Sequence, residues 1–350
     1  MSNPYAASEA RAVVSTWDDI YLVAGLRTPF ADYMQELAEV SPTDMGIYAA
    51  RALFAKSGIP AGDVDCVIGG NMAQASFDAY FLPRHIGLYS GVDPSVPALL
   101  VQRLCGTGFE TIITAADHIK LGKAKLVLAV GTESMTRNPV AAYTHRAGFR
   151  MGQVEFKDFL WEATKDTAPG AGMGDTAENL AKRYGISREE VDRYAAQSFA
   201  RAVAAQEAGY FDDEIVAVTN ASFELPGYNT RSLKLPRKVE SFARDGHAKA
   251  TSYETLAKLR PAFGGVQTGG NSSAIVDGAG AVLVASGDYV RAHGLKPLAR
   301  LVGGCAAGVP PEIMGIGPAP AIRALLAKQG MTLDQVGRVE INEAFGAQYL

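Results

Sequence analysis

The sequence predicts an α/β fold in which helices cover a largely buried sheet. Short apolar runs rich in β-branched residues recur along the chain, and such runs are typical of strands buried on both faces. Segments with helical spacing lie between several of them, for example 42–58, 106–122 and 318–330. Strands that alternate with helices indicate βαβ units. The predicted strands are 20–26, 64–70, 125–131, 280–286, 298–304 and 336–342.

The composition is that of a well-packed protein and gives no sign of nucleic acid or membrane as a partner. The 350 residues are 48% hydrophobic and 20% charged, and the formal net charge is −4. This length suits two domains or one duplicated domain. An acidic chain has no bulk attraction for nucleic acid, and no apolar run approaches the length of a membrane span. We therefore expect neither partner.

The cysteines and the amino terminus indicate a cytoplasmic protein. Cys66, Cys105 and Cys305 lie far apart with no CxxC pair, which suggests neither a disulfide framework nor a metal site. Residues 1–16 lack the apolar region of a signal peptide and predict a flexible tail.

The stretch VQRLCGTGFETI (101–112) places a thiol between an apolar segment and the predicted start of a helix. Free N–H groups at a helix N-terminus favour a thiolate and lower its pKa, which makes Cys105 a candidate nucleophile. The alternative is a buried small hydrophobe, the usual state of a free cysteine. The local sequence leaves both interpretations open.

The middle of the chain is predicted to be an insertion between two α/β parts. Residues 137–265 contain a glycine-rich turn and then helical segments. Asp175 with Glu178, and Ser187 with Glu190, have the spacing of capping boxes. A weak repeat indicates a duplicated half, although one pair of segments can match by chance. It relates GDVDCVIGGNMAQA (62–75) to LDQVGRVEINEAFGAQ (333–348).

Seven segments together resemble the thiolase family, in its order and at comparable spacing. They are RLCGTG (103–108), GTESMTRNP (131–139), MGDTAENLAKRYGISREE (173–190), KLRPAF (258–263), GGNSSAIVDGAGAVLVAS (269–286), MGIGPAPA (314–321) and NEAFGAQ (342–348). The resemblance implies two similar halves packed as five α-β-α-β-α layers, with an inserted loop domain over the coenzyme A site. It also implies a homodimer or homotetramer.

The predicted domains follow from this resemblance. They are a flexible tail at 1–16, an N-terminal half at 17–136, the inserted loop domain at 137–265 and a C-terminal half at 266–350. The family continues to a Gly-His-Pro segment, which activates the nucleophile, and to a Cys-x-Gly-Gly segment, which removes a proton from the attacking acetyl group. Neither segment occurs before Leu350. We therefore expect the C-terminal half to be incomplete and the chain to be a fragment.

The resemblance assigns roles residue by residue. Cys105 matches the acyl-accepting nucleophile, and Asn342 matches the asparagine that orients a water in an oxyanion hole. Ser273 matches a serine near the pantetheine amide, and Met173 and Phe263 match apolar walls of the pantetheine tunnel. The alternatives are that Asn342 is only a turn residue, that Ser273 is only a turn hydroxyl, and that Met173 and Phe263 are only core residues.

The polar stretch 231–250 is the only local excess of positive charge, with six basic residues against two acidic ones. We predict that it covers the phosphates of CoA, with Arg237 and Lys238 as candidate contacts; a solvated loop is the alternative. Two positions depart from the family pattern. Thr107 stands where serine is more usual, and Gly172 where many biosynthetic members have histidine, which indicates a different acyl pocket.

The predicted function is acyl exchange between Cys105 and CoA, either cleaving a 3-ketoacyl-CoA or running the reverse condensation. CoA and acyl-CoA are substrates, and no cofactor or metal is expected because oxyanion holes stabilise the developing charge. The alternatives are another condensing enzyme of the same fold and a non-catalytic protein that binds acyl-CoA or lipid.

Overall fold

The computed structural model describes residues 11–74, 76–143, 145–149 and 151–350. The strands are β1 (Ala12–Arg27), β2 (Ala31–Asp32), β3 (Cys66–Gly70), β4 (Ala98–Val101), β5 (Leu126–Ser134), β6 (Val140–Ala142), β7 (Phe156–Asp158), β8 (Lys165–Asp166), β9 (Ala171–Gly172), β10 (Val218–Thr219), β11 (Ala221–Phe223), β12 (Arg231–Leu233), β13 (Ser241–Phe242), β14 (Val276–Ser286) and β15 (Ala299–Ala307). The helices are α1 (Pro42–Ser57), α2 (Leu82–Tyr89), α3 (Thr107–Lys120), α4 (Phe159–Ala163), α5 (Met173–Tyr184), α6 (Arg188–Glu207), α7 (Tyr253–Leu256), α8 (Gly287–Ala292), α9 (Pro318–Gln329) and α10 (Gly346–Tyr349).

One mixed sheet organises the described residues. Its strand order is β15-β1-β14-β5-β3-β4, and β2 pairs with β14. Strand β14 runs antiparallel to β1 and β5, whereas β3 runs parallel to β4 and β5. The parallel part requires crossover connections, which α2 and α3 provide. The prediction of an α/β fold is confirmed.

Helices cover both faces of this sheet, and β5 shows why. Leu126, Leu128 and Val130 point into the hydrophobic cluster that contains residues of α1 and α2. Val127 and Ala129 point the other way, into a cluster with residues of α3. Because successive side chains of a strand point to opposite faces, a strand buried on both faces must be apolar at every position. The described residues thus supply three layers, helix, sheet and helix.

Five of the six predicted strands are confirmed, as β1, β3, β5, β14 and β15. The sixth, 336–342, forms no strand among the described residues, and Val339 within it is 45% exposed. An apolar alternating segment becomes a strand only when a neighbour satisfies its backbone, and the described chain offers this segment no such neighbour.

The ends of the predicted domains also differ from the structure. Strand β1 begins at Ala12 and pairs with β15, Ala12 opposite Ala307, so residues 12–16 lie in a strand rather than in a flexible tail. Residues 1–10 of that predicted tail lie outside the described residues. Strands β14 and β15, which the boundary at residue 266 assigns to the C-terminal half, join the same sheet as β1 and β5.

Helix boundaries follow local capping. Ser41 accepts a hydrogen bond from Asp44 N at the start of α1, and Gly58 ends it in a left-handed conformation. The predicted Ser187–Glu190 capping box begins α6. The Asp175–Glu178 pairing is wrong, because α5 begins three residues earlier than that spacing requires. Asp175 instead accepts from Gly172 N (2.8 Å).

Residues between β5 and β14 form short two-stranded ribbons and helices α4 to α7. The ribbons pair β6 with β7, β8 with β9, β10 with β13, and β11 with β12. Phe223 and Leu233 of the β11–β12 ribbon lie in the same hydrophobic cluster as residues of α1. No helix of the described residues is long and apolar enough to cross a membrane.

Candidate active site

Cys105 lies in a tight turn between β4 and α3. Gly106 N donates to Arg103 O (2.9 Å), and Thr107 N donates to Leu104 O (3.0 Å). Leu104 adopts φ +45°, a left-handed conformation that is rare for a residue with a bulky side chain. Cys105 is exposed, so the alternative of a buried core cysteine is wrong for it.

The pKa of the Cys105 thiol is raised above its usual range. Protein atoms around the sulfur desolvate the thiolate, although the residue as a whole is exposed, and the backbone N–H of Cys105 offsets only part of this effect. The lowering expected from the helix N-terminus is not found. Helix α3 begins at Thr107 with Gly106 as its cap, so the thiol lies outside the first turn.

Gly70, at the end of β3, lets α3 approach the sheet closely, and Gly131 within β5 lies in ordinary contact with the same helix. A Cβ on Gly70 would lie 2.6 Å from Cγ2 of Thr107, and a Cβ on Gly131 would lie 3.6 Å from Cα of Gly108. A side chain at position 70 would therefore displace the start of α3 and the cysteine turn with it.

A cavity of about 470 Å³ lies beside the segment Asn342–Phe345, the NEAF segment. The segments that line it come from α6, from the loop before β14 and from the loop that follows β13. The residues that line it include Phe30, Tyr194, Ser198, Phe199, Ser273, Val276, Asn342 and Glu343. The structure therefore brings two predicted site residues, Ser273 and Asn342, to one cavity.

The NEAF segment is fixed at several points. Ser273 N donates to Ala344 O (2.9 Å). The Glu343 carboxylate accepts from Ser198 Oγ (2.5 Å) and from the hydroxyl of Tyr194, both on α6. Glu343 thus ties the NEAF segment, which carries Asn342, to helix α6 of the inserted region.

The buried carboxylate of Asp192 holds the loop 269–275, which precedes β14. Asn271 Nδ2 donates to Asp192 Oδ1 (2.8 Å), and Arg188 Nε donates to Asp192 Oδ2 (2.6 Å). Gly346 N donates to Asn271 O (2.9 Å), which ties the end of the NEAF segment to the same loop. A buried carboxylate with these partners is satisfied, so it fixes the loop rather than binding a ligand.

Met173 and Phe263 lie outside this cavity. A Cβ on Gly174 would lie 2.3 Å from the Phe263 ring, so the ring covers the first turn of α5, where Met173 is the first residue. Phe263 also meets the Phe345 ring edge to face, with ring centroids 6.2 Å apart. Neither Met173 nor Phe263 lines the cavity. Their role as tunnel walls stays a prediction.

Arg237 and Lys238 are exposed in the turn between β12 and β13 and do not line the cavity. Within the same stretch, Arg231 forms ion pairs with Asp44 (2.7 Å) and Asp78 (2.6 Å), which occupy it. The local excess of positive charge is therefore smaller than the sequence predicts. Phosphate binding by Arg237 and Lys238 stays a prediction.

The cysteine turn and the cavity lie toward the same end of the sheet. Gly131 of β5 meets α3 at Gly108, and three residues later Ser134 pairs with Asp277, the neighbour of the cavity residue Val276. Three residues of strand span about 10 Å. No hydrogen bond among the described residues joins Cys105 directly to Asn342. The described residues also contain no cluster of three or more His, Cys, Asp or Glu side chains that could hold a metal ion.

Comparison with known proteins identifies the family. Residues 20–288 match the N-terminal domain of thiolase, and residues 295–350 match its C-terminal domain. The chain belongs to the thiolase family.

Individual thiolases are similar to it over nearly its whole length. It is 42% identical to the mitochondrial 3-ketoacyl-CoA thiolase of Homo sapiens, over 95% of this chain and 81% of that protein. It is 38% identical to an acetyl-CoA acetyltransferase of Pseudomonas aeruginosa, over 95% and 82%. The crystal structure of human mitochondrial 3-ketoacyl-CoA thiolase in complex with CoA matches with a TM-score of 0.88 at 41% identity, over 94% of this chain and 80% of that one. The predicted resemblance and fold class are confirmed.

Sequence reasoning missed the residues that hold this thiolase site together. Glu133 Oε2 accepts from Met72 N (2.7 Å) and Ala73 N (3.2 Å), and burial raises the pKa of its carboxyl. Asn71, buried just after β3, donates to Glu133 Oε1 (3.0 Å). The one available signal was a glutamate directly after the apolar run of β5, because an acid at the end of a buried strand needs partners.

Proposed function

We infer that this chain is a thiolase-type acyltransferase that acts on CoA thioesters. The observation that carries the inference is Cys105, the family's nucleophile position, in an exposed turn whose following helix packs against the end of β3 and against β5. A cysteine on an exposed turn of fixed backbone suits an enzyme whose sulfur must attack a carbonyl and later leave it.

The proposed reaction has two balanced steps. The Cys105 sulfur attacks the 3-keto carbon, the bond between C2 and C3 breaks, and the released carbanion takes a proton to become acetyl-CoA. The acyl group then remains on the cysteine as a thioester. The thiol of a second CoA attacks this thioester, the new acyl-CoA leaves, and Cys105 recovers its proton. The condensation is the same sequence in reverse.

The residues of the site would stabilise the developing charge and orient the substrate. Because the pKa of Cys105 is raised, its thiol must lose a proton to an acceptor as the substrate binds. Asn342 would orient a water toward the thioester oxygen, and Ser273 would meet the pantetheine amide. The aromatic rings of Phe30 and Phe199 in the same cavity suit the apolar part of such a substrate.

The names of its relatives point to the substrate class. One relative is a 3-ketoacyl-CoA thiolase and another an acetyl-CoA acetyltransferase, and a similar solved structure is a complex with CoA. We therefore propose 3-ketoacyl-CoA and CoA as the substrates in the cleavage direction, and acetyl-CoA in the condensation.

We also propose that the chain forms a homodimer through the β4 edge of the sheet. Among the described strands β4 pairs only with β3, so its outer backbone edge is open. Exposed apolar side chains lie on β4 itself and at the starts of the two helices that contact it, including Leu99, Phe81 and Phe109. A patch of this kind marks an interface. Sedimentation should show a dimer that Leu99→Lys weakens and Leu121→Lys, at an exposed leucine at the end of α3, does not.

Trapping the acyl-enzyme tests the proposed function. The protein is mixed with a 3-ketoacyl-CoA in the absence of free CoA, quenched in acid, digested and analysed by mass. The expected result is one acyl group on the peptide that contains Cys105, and none in Cys105→Ala. Acylation of Cys66 or Cys305 would contradict the assignment. Binding of the thioester without any acylation would instead favour a non-catalytic acyl-CoA-binding protein.

A further inference from the structure

The backbone directly before Cys105 is strained. Leu104 has φ +45°, and a non-glycine residue in such a region costs on the order of 1–3 kcal/mol. Its side chain is 45% exposed, so core packing does not hold it there. Leucine also has no polar side-chain atom with which to stabilise the conformation itself. Other groups must therefore hold the peptide that orients the cysteine.

The Thr107 hydroxyl is placed to do this. Its Oγ1 accepts from Arg103 N (2.8 Å) and donates to Leu104 O (2.6 Å), so one hydroxyl bonds the backbone on both sides of the strained residue. Thr107 is only 6% exposed, and water therefore competes little for these bonds.

The Thr107 methyl group fixes the direction of that hydroxyl. Its Cγ2 lies where a Cβ on Gly70 would be only 2.6 Å away, so the methyl fills the space that this glycine leaves. A β-branched side chain is stiff about χ1, and contact on one branch restricts the other. Gly70 and Thr107 are therefore complementary in shape.

A second, weaker connection reaches the same peptide. Gln102 Oε1 accepts from Leu104 N at 3.4 Å, and Gln102 Nε2 donates to Met72 O (3.2 Å). The loop after β3 that carries Met72 is in turn held by the Glu133 carboxylate (2.7 Å). The strained peptide is thus tied to the ends of β3 and β5 as well as to α3.

We propose that Thr107 is a positioning residue for Cys105: its hydroxyl holds Leu104 in the left-handed conformation and so fixes the direction of the thiol. This rests on the proposed function only for the claim that Cys105 is the nucleophile. The difference from the family's usual serine then has a defined meaning, because threonine keeps the hydroxyl and adds the methyl that locks it against Gly70.

Thr107→Val and Thr107→Ser form a matched pair. Valine keeps the shape and removes the hydroxyl, whereas serine keeps the hydroxyl and removes the methyl. We expect Thr107→Val to lower kcat about tenfold or more while the KM for CoA changes less than about twofold, because misplacing a reacting group affects the chemical step. Thr107→Ser should retain most of the turnover.

Alkylation of Cys105 by iodoacetamide gives a readout that does not depend on turnover. Once the turn relaxes in Thr107→Val, the sulfur is better solvated. Its alkylation should then quicken at neutral pH, and the pH profile should move toward that of an ordinary thiol. Cys66 is buried and reports unfolding, so it must remain unlabelled in each variant compared. Gln102→Leu, at an exposed position, should also quicken the alkylation of Cys105, but less than Thr107→Val does.

The outcomes distinguish a failure of the proposed role of Thr107 from a failure of the proposed function. Below, the brace means the hydrogen bonds of Thr107 and Gln102 to the Leu104 peptide. Parent-like turnover and alkylation in Thr107→Val would overturn the proposal, and so would a Thr107→Ser variant as impaired as Thr107→Val. If Thr107→Val does not fold, an unchanged Cys105 profile in Gln102→Leu would count against the brace. A parent protein without acyl transfer would contradict the proposed function, while the alkylation comparison would still decide the role of Thr107.

Discussion

Arg231 offers a sharp test of how the inserted region is attached. Its guanidinium bonds Asp44 of α1 (2.7 Å) and Asp78 before α2 (2.6 Å), with side-chain exposures of 18%, 13% and 9% for Arg231, Asp44 and Asp78. Arg231→Met keeps the length of the side chain and removes the charge. The two carboxylates are then left facing each other without a cation.

The expected loss of stability follows from this burial. Removing one partner of a fully buried ion pair costs roughly 3–5 kcal/mol. Because these groups keep some contact with solvent, we expect about 3 kcal/mol at pH 7. Urea unfolding measures it, and Arg237→Met, at an exposed position in the same stretch, should change the free energy of unfolding by less than about 0.5 kcal/mol.

The loss should depend on pH with a defined sign. Burial alone would raise the pKa of Asp78, but its hydrogen bonds from Arg231 and Ser76 bring the net pKa below its usual range. In the parent, the ionised Asp78 therefore contributes stability at pH values above the pKa of an unfolded aspartate, about 3.9. This stability is lost as the pH falls through the lower pKa of the folded state. Without Arg231, burial raises the pKa of Asp78. Protonation of Asp78 then removes its unpaired charge in the variant. The difference in the free energy of unfolding between the parent and Arg231→Met therefore becomes smaller from pH 7 to pH 4.5.

Two results would refute this reasoning. One is a variant as stable as Arg237→Met at pH 7, since the pairs would then contribute nothing measurable. The other is a raised KM for CoA with an unchanged KM for a pantetheine thioester in a stably folded Arg231→Met protein. Such a result would place Arg231 at the nucleotide rather than in a structural ion pair.

Three further predictions concern the site. Cys105 should be the only one of the three cysteines that reacts fast with iodoacetamide, and its rate should increase at a higher pH than that of an ordinary cysteine because its pKa is raised. Rapid labelling of the buried Cys66 would contradict this. Asn342→Ala should lower turnover by about 10² or more with CoA affinity nearly unchanged, whereas a loss of folding alone would indicate a turn residue. Neutralising Arg237 and Lys238 together should raise the KM for CoA thioesters, and raise it less at high salt, because exposed charges are screened. An equal effect on a pantetheine thioester would assign both residues to the solvated surface.

The sequence predicts the elements whose signal is local. The apolar run of β5 indicates burial on both faces, and Ser187 with Glu190 marks the start of α6, because a strand buried on two faces and a capped helix each need particular residues at fixed spacing. Cys105 and Asn342 could be found because short motifs surround them.

The remaining features depend on contacts that no local pattern contains. Glu343 meets Tyr194 and Ser198 across about 150 positions of sequence, and nothing near any of the three marks the pairing. Arg231 likewise looks like part of a basic patch until the fold places two carboxylates beside it. The raised pKa of Cys105 has the same origin, since a helix start within two residues predicts the opposite direction.

The shared carboxylate of Glu343 also has a mechanical consequence. Two hydroxyls of α6 hold it, and Asn342 is the next residue along the chain. A ligand that enters the cavity between α6 and the NEAF segment cannot displace the helix without pulling on that asparagine. Filling the site and aligning its amide are therefore coupled events, and a ligand that fits poorly against α6 misaligns Asn342 as it binds.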